Sequence, residues 1–215
     1  MIHGETLVGA AVLAGAWLGA HRNPWHPSGE PPSPARAAAF GLGLVAALGA
    51  LNGPVHDLAE QSHFSVHMVQ HLLLTLVVPP LLMAGTPAWM MDGLLTAVGR
   101  LRGSLACARA VTRPVPALAL YTAALVLWHL PGPYDTAVAS HAWHIVEHAT
   151  LVGGAAIAWW PVLGPSRLVP PLPYAAQILY LFAFGVPMTV VAAMITGADG
   201  VLYSSYAAAA AGRDT

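Results

Sequence analysis

The chain has 215 residues, of which 57% are hydrophobic and only 8% are charged, and its formal net charge is −1. Soluble domains carry about 25% charged residues, so this composition excludes an ordinary soluble domain and indicates an integral membrane protein. A net charge near zero, with no lysine, argues against a nucleic-acid partner, and a single cysteine, Cys107, excludes an intrachain disulfide.

The first apolar run covers residues 6–20. No basic residue precedes it, whereas a cleaved signal peptide normally begins with a positively charged region. We therefore expect this run to be a retained span rather than a leader removed after Ala20.

Further apolar runs, each long enough or nearly long enough to cross a bilayer core of about 30 Å as a helix, cover residues 35–52, 63–84, 115–130, 137–160 and 173–196. The prolines at Pro79 and Pro80 should bend or end the third run. The sequence thus predicts an all-α, polytopic membrane bundle of about six transmembrane helices. It forms a single domain over residues 1–215, with a His-rich signature region over about 56–161 and a short Ala-rich tail at 207–215.

The arginines predict the orientation of these spans. Seven of the eight lie in segments that would face the same side, and only Arg213 breaks the alternation. Because basic residues accumulate in cytoplasmic loops, this side should be cytoplasmic. The N-terminus, residues 53–62 and residues 131–136 should then face outward.

Most of the histidines fall at the outer ends of the predicted spans. The third span contains His63, His67 and His71, and the fifth contains His141, His144 and His148. His129 closes the fourth span, and only His21 and His26 fall on the inner side. Residues four apart share a helix face, so the pairs His67/His71 and His144/His148 each present two imidazoles in one direction.

Two such helices facing one another bring up to four imidazoles to one point, with His129 as a fifth donor or the start of a second site. One intramembrane histidine often only makes an interhelical hydrogen bond. A group at one depth on three helices instead indicates a functional site. Imidazole binds copper, zinc, iron and nickel, and the nearby thioethers of Met68 and Met188 favour copper.

Four further polar residues lie in or near the histidine-containing segments or in the predicted outer segments. Glu147 could accept a hydrogen bond from a ligating imidazole and fix its orientation. Asp135 is either the N-cap of the fifth helix or a partner of the outer site. His3 and His56 lie in predicted outer segments near water, so we expect them to be solvated bystanders.

Three blocks of the sequence carry recognisable motifs. The first runs from Ser65-Val66-His67-Met68-Val69-Gln70-His71 to Pro79-Pro80 and Gly85-Thr86-Pro87. The second is Leu127-Trp128-His129-Leu130-Pro131, with Tyr134-Asp135, His144, Glu147-His148 and Trp159-Trp160-Pro161 after it. The third, weaker block is Pro187-Met188 with Leu202-Tyr203 and Tyr206. Over roughly residues 40 to 206, these blocks resemble the CtaG family of bacterial cytochrome c oxidase assembly proteins.

This resemblance implies a function as well as a fold. It implies a multi-pass protein of the bacterial plasma (inner) membrane that acts as an assembly factor, or metal chaperone, for the copper-containing catalytic subunit of the oxidase. An outer-side copper donor protein would be a second partner. The residues that match the family's motif histidines, and so would form its metal-binding set, are His67, His71, His129, His144 and His148.

Two alternatives remain open on the residues alone. His144-Ile145-Val146-Glu147-His148 matches H-x-x-E-H, a zinc-hydrolase pattern in which the glutamate acts as base. A b-type haem held between two helices would use one histidine from each and leave the others without a role. The assembly role that the resemblance implies requires no catalysis. We expect a protein that is not an enzyme, and the metallohydrolase is the alternative.

Overall fold

The computed structural model of the chain describes residues 4–21, 31–60, 64–100 and 103–207, and all regular elements within these ranges are helical. From the N-terminus, the helices of the first half are α1 (Gly4–His21), α2 (Pro34–Leu51), α3 (Gly53–Glu60), α4 (Phe64–Leu72), a π-helical segment (Leu73–Val77), α5 (Val78–Gly85) and α6 (Ala88–Gly99). After α6 come α7 (Ser104–Val111), α8 (Pro114–His129), α9 (Pro131–Ala139), α10 (His141–Leu163), α11 (Tyr174–Thr196) and a 3₁₀ turn (Ser204–Tyr206).

The all-helical class is confirmed for the described residues. Three stretches are long and apolar enough to cross a membrane: Pro34–Leu51, Phe64–Gly85 and Tyr174–Thr196. A fourth candidate is the pair Ser104–Val111 and Pro114–His129, whose axes meet at 77°. The number of six spans and the outward N-terminus remain predictions.

The two predicted outer segments are not loops. Residues 53–60 form α3, and residues 131–139 form α9. Gly53 has a φ of 68° between α2 and α3, a left-handed conformation that glycine adopts without strain. After this turn α3 packs against both α2 and α4.

The third predicted span runs through its two prolines rather than ending at them. The five residues before Val78 are π-helical, and the Val78 N–H donates to Leu73 O. Thr75 O would receive the N–H of residue 79 in an α-helix or of residue 80 in a π-helix, but both are prolines and have none. The indole Nε1 of Trp159, on α10, donates to this oxygen instead, at 2.9 Å.

Close backbone packing joins α2 to α5. A Cβ on Gly85 would lie 2.5 Å from the backbone nitrogen of Phe40, and one on Gly43 would lie 2.9 Å from Leu82. The absence of side chains at these two positions is what allows the helices to approach so closely. Trp17 of α1 joins the same contact by donating from Nε1 to Gly85 O at 3.1 Å.

A second core lies between α8, α10 and α11. It contains Tyr121, Ala155, Ala158, Tyr180 and Phe184. The Tyr180 hydroxyl donates to Ala158 O at 2.7 Å, so this aromatic core has a polar tie between α10 and α11. With the α2–α5 contact it places α4 and α10 side by side.

Candidate metal centre

The two predicted histidine pairs face one another across α4 and α10. His67 and His71 lie on α4, His144 and His148 lie on α10, and all four side chains are buried. The ring centroids of His67 and His144 are 5.4 Å apart, and those of His71 and His148 are 5.3 Å apart. The four-residue spacing on each helix therefore produces a compact group of imidazoles, which we call the histidine cluster.

Glu147 brings a carboxylate into the histidine cluster. Its side chain is 0% exposed, and Oε1 lies 3.5 Å from His71 Nε2 and 3.8 Å from His67 Nε2. Neither carboxylate oxygen has a hydrogen-bond partner among the described residues. Burying a polar group without a hydrogen bond costs about 1–3 kcal/mol or more, so a glutamate placed here requires a compensating interaction.

The positions of the donor atoms fit a metal ion. One atom each from His67, His71, Glu147 and His148 lie within 4.8 Å of one another. His67 Nε2 and His71 Nε2 are 2.9 Å apart. A tetrahedral ion with ligand bonds of about 2.0–2.2 Å requires donor atoms roughly 3.3–3.6 Å apart. Small side-chain adjustments would therefore be enough to surround an ion.

His129, on α8, completes the group from a third helix. Its ring centroid is 5.7 Å from that of His71. Its Nδ1 lies 2.7 Å from Leu125 O. Because a carbonyl oxygen only accepts, Nδ1 carries the proton in this contact, and Nε2 is left as the atom that can bind a metal.

His56 and Gln70 belong to the surroundings of the cluster, and the sequence analysis missed both. His56, on α3, is buried, and its ring stacks on that of His144 at 5.6 Å. Gln70 is 0% exposed, and its Nε2 lies 3.1 Å from His56 Nδ1 and donates to Ala50 O at 2.8 Å. The expectation that His56 is a solvated bystander is wrong, because α3 packs against α4 and buries His56 beside Gln70 and His144.

Four aromatic rings cover the end of the cluster where α4 begins. Tyr134 is buried and its ring lies 5.3 Å from that of His67. Its hydroxyl lies 3.0 Å from that of Tyr206, and Tyr203 stacks on it with the ring centroids 4.0 Å apart. Phe64 packs against all three. We call this group the tyrosine cap.

Asp135 holds the 3₁₀ turn of the tyrosine cap in place. It does not cap α10, whose N-cap is Ser140. Its Oδ2 accepts from the N–H and hydroxyl of Ser204, and its Oδ1 accepts from those of Ser205, at 2.6–3.1 Å. Burial alone would raise the pKa of Asp135, but these hydrogen bonds outweigh it and hold the pKa below its usual value.

The tyrosine hydroxyls of the cap stay protonated at neutral pH. Burial raises the pKa of Tyr203 to about 12, and burial together with the neighbouring Tyr206 hydroxyl raises that of Tyr134 further. The Tyr203 hydroxyl donates to His129 O at 3.0 Å, which ties the cap to α8. The cap therefore adds no charge to the end of the cluster that it covers.

A cavity of about 220 Å³ reaches the cluster from the side, between α4, α8 and α11. His71 and His129 line it, together with both predicted thioethers, Met68 and Met188. The rest of its lining is largely apolar. The two methionines are thus placed beside the histidines, as auxiliary ligands would be.

Two predicted site residues lie elsewhere. His63 falls outside the described residues. His141 is exposed and pairs with Glu5 on α1 at 3.2 Å, so it stands apart from the cluster. It does border a cavity of about 100 Å³ with His67 and His144.

Residues 12–215 match the family described as cytochrome c oxidase caa3 assembly factor (Caa3_CtaG). The match covers nearly the whole chain, so the chain belongs to this family. No curated protein and no solved structure matches it significantly.

Proposed function

We propose that this member of the caa3 assembly factor family binds a copper ion in the histidine cluster and assists its delivery to the catalytic subunit of cytochrome c oxidase. Family membership supports the assembly role and the oxidase as partner. The observation that carries the copper role is the buried group of His67, His71, Glu147 and His148, with its donor atoms within 4.8 Å of one another.

The donor set favours copper over the other metals that imidazole binds. The three histidines of this group, with His129 Nε2 beside them, offer the nitrogen ligands that copper prefers, and the thioethers of Met68 and Met188 add soft sulfur. Cysteine, the usual ligand of closed structural zinc sites, is absent from the group, since the single cysteine of the chain is exposed on α7.

The surroundings of the cluster support release sideways. The tyrosine cap covers one end, whereas the cavity lined by His71, His129, Met68 and Met188 opens between helices. A membrane-embedded partner subunit could receive the ion through this opening, and exchange between imidazole and thioether ligands would keep the ion bound along the way. Such a role needs reversible binding, and it needs no catalytic step by this chain.

The arginine distribution gives the orientation that we propose for this transfer. With the arginine-rich connections in the cytoplasm, the histidine cluster lies near the outer face of a bacterial plasma membrane. An outer-side copper donor protein could then load the site. Labelling of a cysteine introduced at Pro133 in intact cells tests the orientation: labelling from outside is expected, and labelling only after the membrane is permeabilised would invert it.

Copper binding is tested by competition against a Cu(I) chelator on the purified protein. We expect one bound copper per chain in the wild type. We expect His71→Ala combined with His148→Ala to abolish retention, because two of the four grouped ligands are removed. His141→Ala is the matched control: it removes an exposed imidazole on the same helix, so retention should stay at the wild-type level.

The alternatives give different results in the same preparation. Stoichiometric zinc with peptidase activity lost in Glu147→Gln would support the H-x-x-E-H hydrolase, and a Soret absorption band would support the haem protein. Normal copper retention by the His71→Ala/His148→Ala variant would contradict the proposed site, and absence of retained copper in the wild type would contradict the copper role.

A further inference from the structure

A wide groove lies at the opposite end of the helices from the histidine cluster. It has a volume of about 910 Å³ and lies between α1, α2 and α6. Its lining is predominantly apolar and contains Trp17, Phe40 and Trp89. Three charged side chains also line it: the cations Arg100 and Arg167 and one carboxylate, Asp92.

One wall of the groove is held by specific contacts. The rings of Trp17 and Phe40 stack with their centroids 5.0 Å apart, and Trp17 Nε1 donates to Gly85 O. These contacts attach α1 to the tight junction between α2 and α5. The groove is thus a formed feature of the packing.

Asp92 positions one of the two arginines. Its Oδ1 accepts hydrogen bonds from Ser166 Oγ at 2.6 Å and from the backbone N–H of Arg167 at 3.0 Å. This carboxylate oxygen is therefore engaged with the connection that carries Arg167. Both guanidinium side chains are exposed, and within the described ranges neither forms an ion pair with a carboxylate.

We propose that this groove binds one anionic phospholipid, with its acyl chains along the apolar wall and its phosphate between Arg100 and Arg167. Guanidinium groups bind phosphate oxygens through paired N–H donors. Basic pockets between membrane helices bind anionic lipid head groups. Trp17 and Trp89 supply amphipathic rings of the kind that occur at the boundary between acyl chains and head groups.

The charge pattern determines which lipid class the groove should select. A zwitterionic phosphocholine head group carries its own cation, which would lie close to the two arginines and oppose binding. A phosphatidylglycerol head group carries only the phosphate charge. The groove should therefore prefer the anionic lipid, and this preference does not depend on whether the histidine cluster binds copper.

The test uses the full-length chain, purified in detergent and delipidated. Dioleoyl phosphatidylglycerol or dioleoyl phosphatidylcholine is titrated in, and both the bound lipid and the melting temperature are measured. We expect one tightly bound phosphatidylglycerol per chain and a larger rise in melting temperature than phosphatidylcholine gives. Arg100→Gln combined with Arg167→Gln should weaken phosphatidylglycerol binding at least about tenfold.

The matched control is Arg109→Gln combined with Arg113→Gln. It removes the same charge from two exposed residues, one on α7 and one just before α8, that do not line the groove. The control should bind phosphatidylglycerol as the wild type does. Equal binding of the two lipids by the wild type, or equal losses in the two double variants, would overturn the proposal; circular dichroism of the lipid-free proteins verifies that all variants are folded.

Discussion

The two ends of this molecule handle polar side chains in opposite ways. At the histidine end, four histidines and Glu147 are buried between α4 and α10 and covered by aromatic rings. At the arginine end, Arg100 and Arg167 are exposed beside an open apolar groove. The first arrangement is costly unless something compensates the buried groups, whereas the second leaves the charges in contact with water or head groups.

Because of this difference, each end suits a different class of ligand. Buried donors that converge within a few ångströms suit a small cation. Exposed guanidinium groups at the edge of an apolar groove suit a large amphipathic anion. The two ends are joined by the same helices, so changes at one end can be compared with changes at the other in a single protein.

The largest effect is expected at the arginine end, from Gly85→Val. The new side chain would meet the backbone of Phe40, since even a Cβ lies 2.5 Å from its nitrogen. Because backbone atoms move less readily than side chains, we expect the free energy of unfolding to fall by about 3 kcal/mol, or the protein not to fold. Thermal unfolding in detergent measures it. Gly41→Val is the control, because nothing lies within 4 Å of a Cβ there; equal losses at both positions would show that the α2–α5 contact is looser than described.

At the histidine end, Glu147→Gln should separate binding from folding. The amide keeps the shape of the side chain but cannot ionise, so the metal-free protein should be at least as stable as the wild type. Copper affinity should fall at least about 10- to 100-fold, because Glu147 is one of the four grouped donors and losing even a residue that only supports a ligand costs this much. Chelator competition and thermal unfolding measure the two effects. An unchanged affinity would remove Glu147 from the site.

The attachment of the tyrosine cap should depend on pH through Asp135. Its pKa is lowered in the folded protein, so its stabilising contribution is complete above its ordinary pKa and is lost as the pH falls through the lowered value, below about pH 4. Asp135→Asn should lower the free energy of opening the 3₁₀ turn by about 1 kcal/mol at neutral pH. The figure is modest because the carboxylate is partly exposed. Hydrogen exchange of the Ser204 and Ser205 amides measures it, and protection that persists in Asp135→Asn would contradict the assignment.

The smallest effect is expected from Tyr206→Phe. It removes the 3.0 Å contact between the Tyr206 and Tyr134 hydroxyls but keeps the ring packing. We expect the free energy of opening the 3₁₀ turn, from the same hydrogen-exchange measurement, to fall by about 0.5–1 kcal/mol. Tyr174→Phe, at an exposed position at the start of α11, is the control and should change nothing. A loss as large as that of Asp135→Asn would mean that the hydroxyl pair, and not the carboxylate, holds the cap.

The sequence was most informative where spacing alone fixes geometry. The pairs at positions 67/71 and 144/148 predicted two helix faces that converge. The ring centroids of facing histidines do lie close together, at 5.4 Å for His67 and His144 and 5.3 Å for His71 and His148. Apolar length predicted the helical class because a helix satisfies its own backbone hydrogen bonds in lipid. Neither signal depends on how the remote parts of the chain fold.

The sequence was least informative where a tertiary turn decides burial. His56 follows Gly53 and Pro54, which read as a loop, yet the turn at Gly53 starts α3 and carries His56 under α4. The buried positions His56 and Ala59 are three residues apart, a helical spacing that was the available signal. Asp135 could not be placed from the sequence, because its partners lie about seventy positions later, at Ser204 and Ser205.

The oxygen of Thr75 has a consequence for the relative position of the two histidine pairs. No helical N–H can reach it, since residues 79 and 80 are both prolines, and Thr75 is buried. An unsatisfied carbonyl there would cost about 1–3 kcal/mol, so the bond from Trp159 resists any axial slip of α10 against α4. An axial slip by the rise of one residue would shift His144 and His148 by about 1.5 Å relative to their partners on α4. Pro79 and Pro80 would not bind a metal themselves. Because they leave the Thr75 oxygen to Trp159, they nevertheless fix the alignment of the candidate metal ligands on α4 and α10.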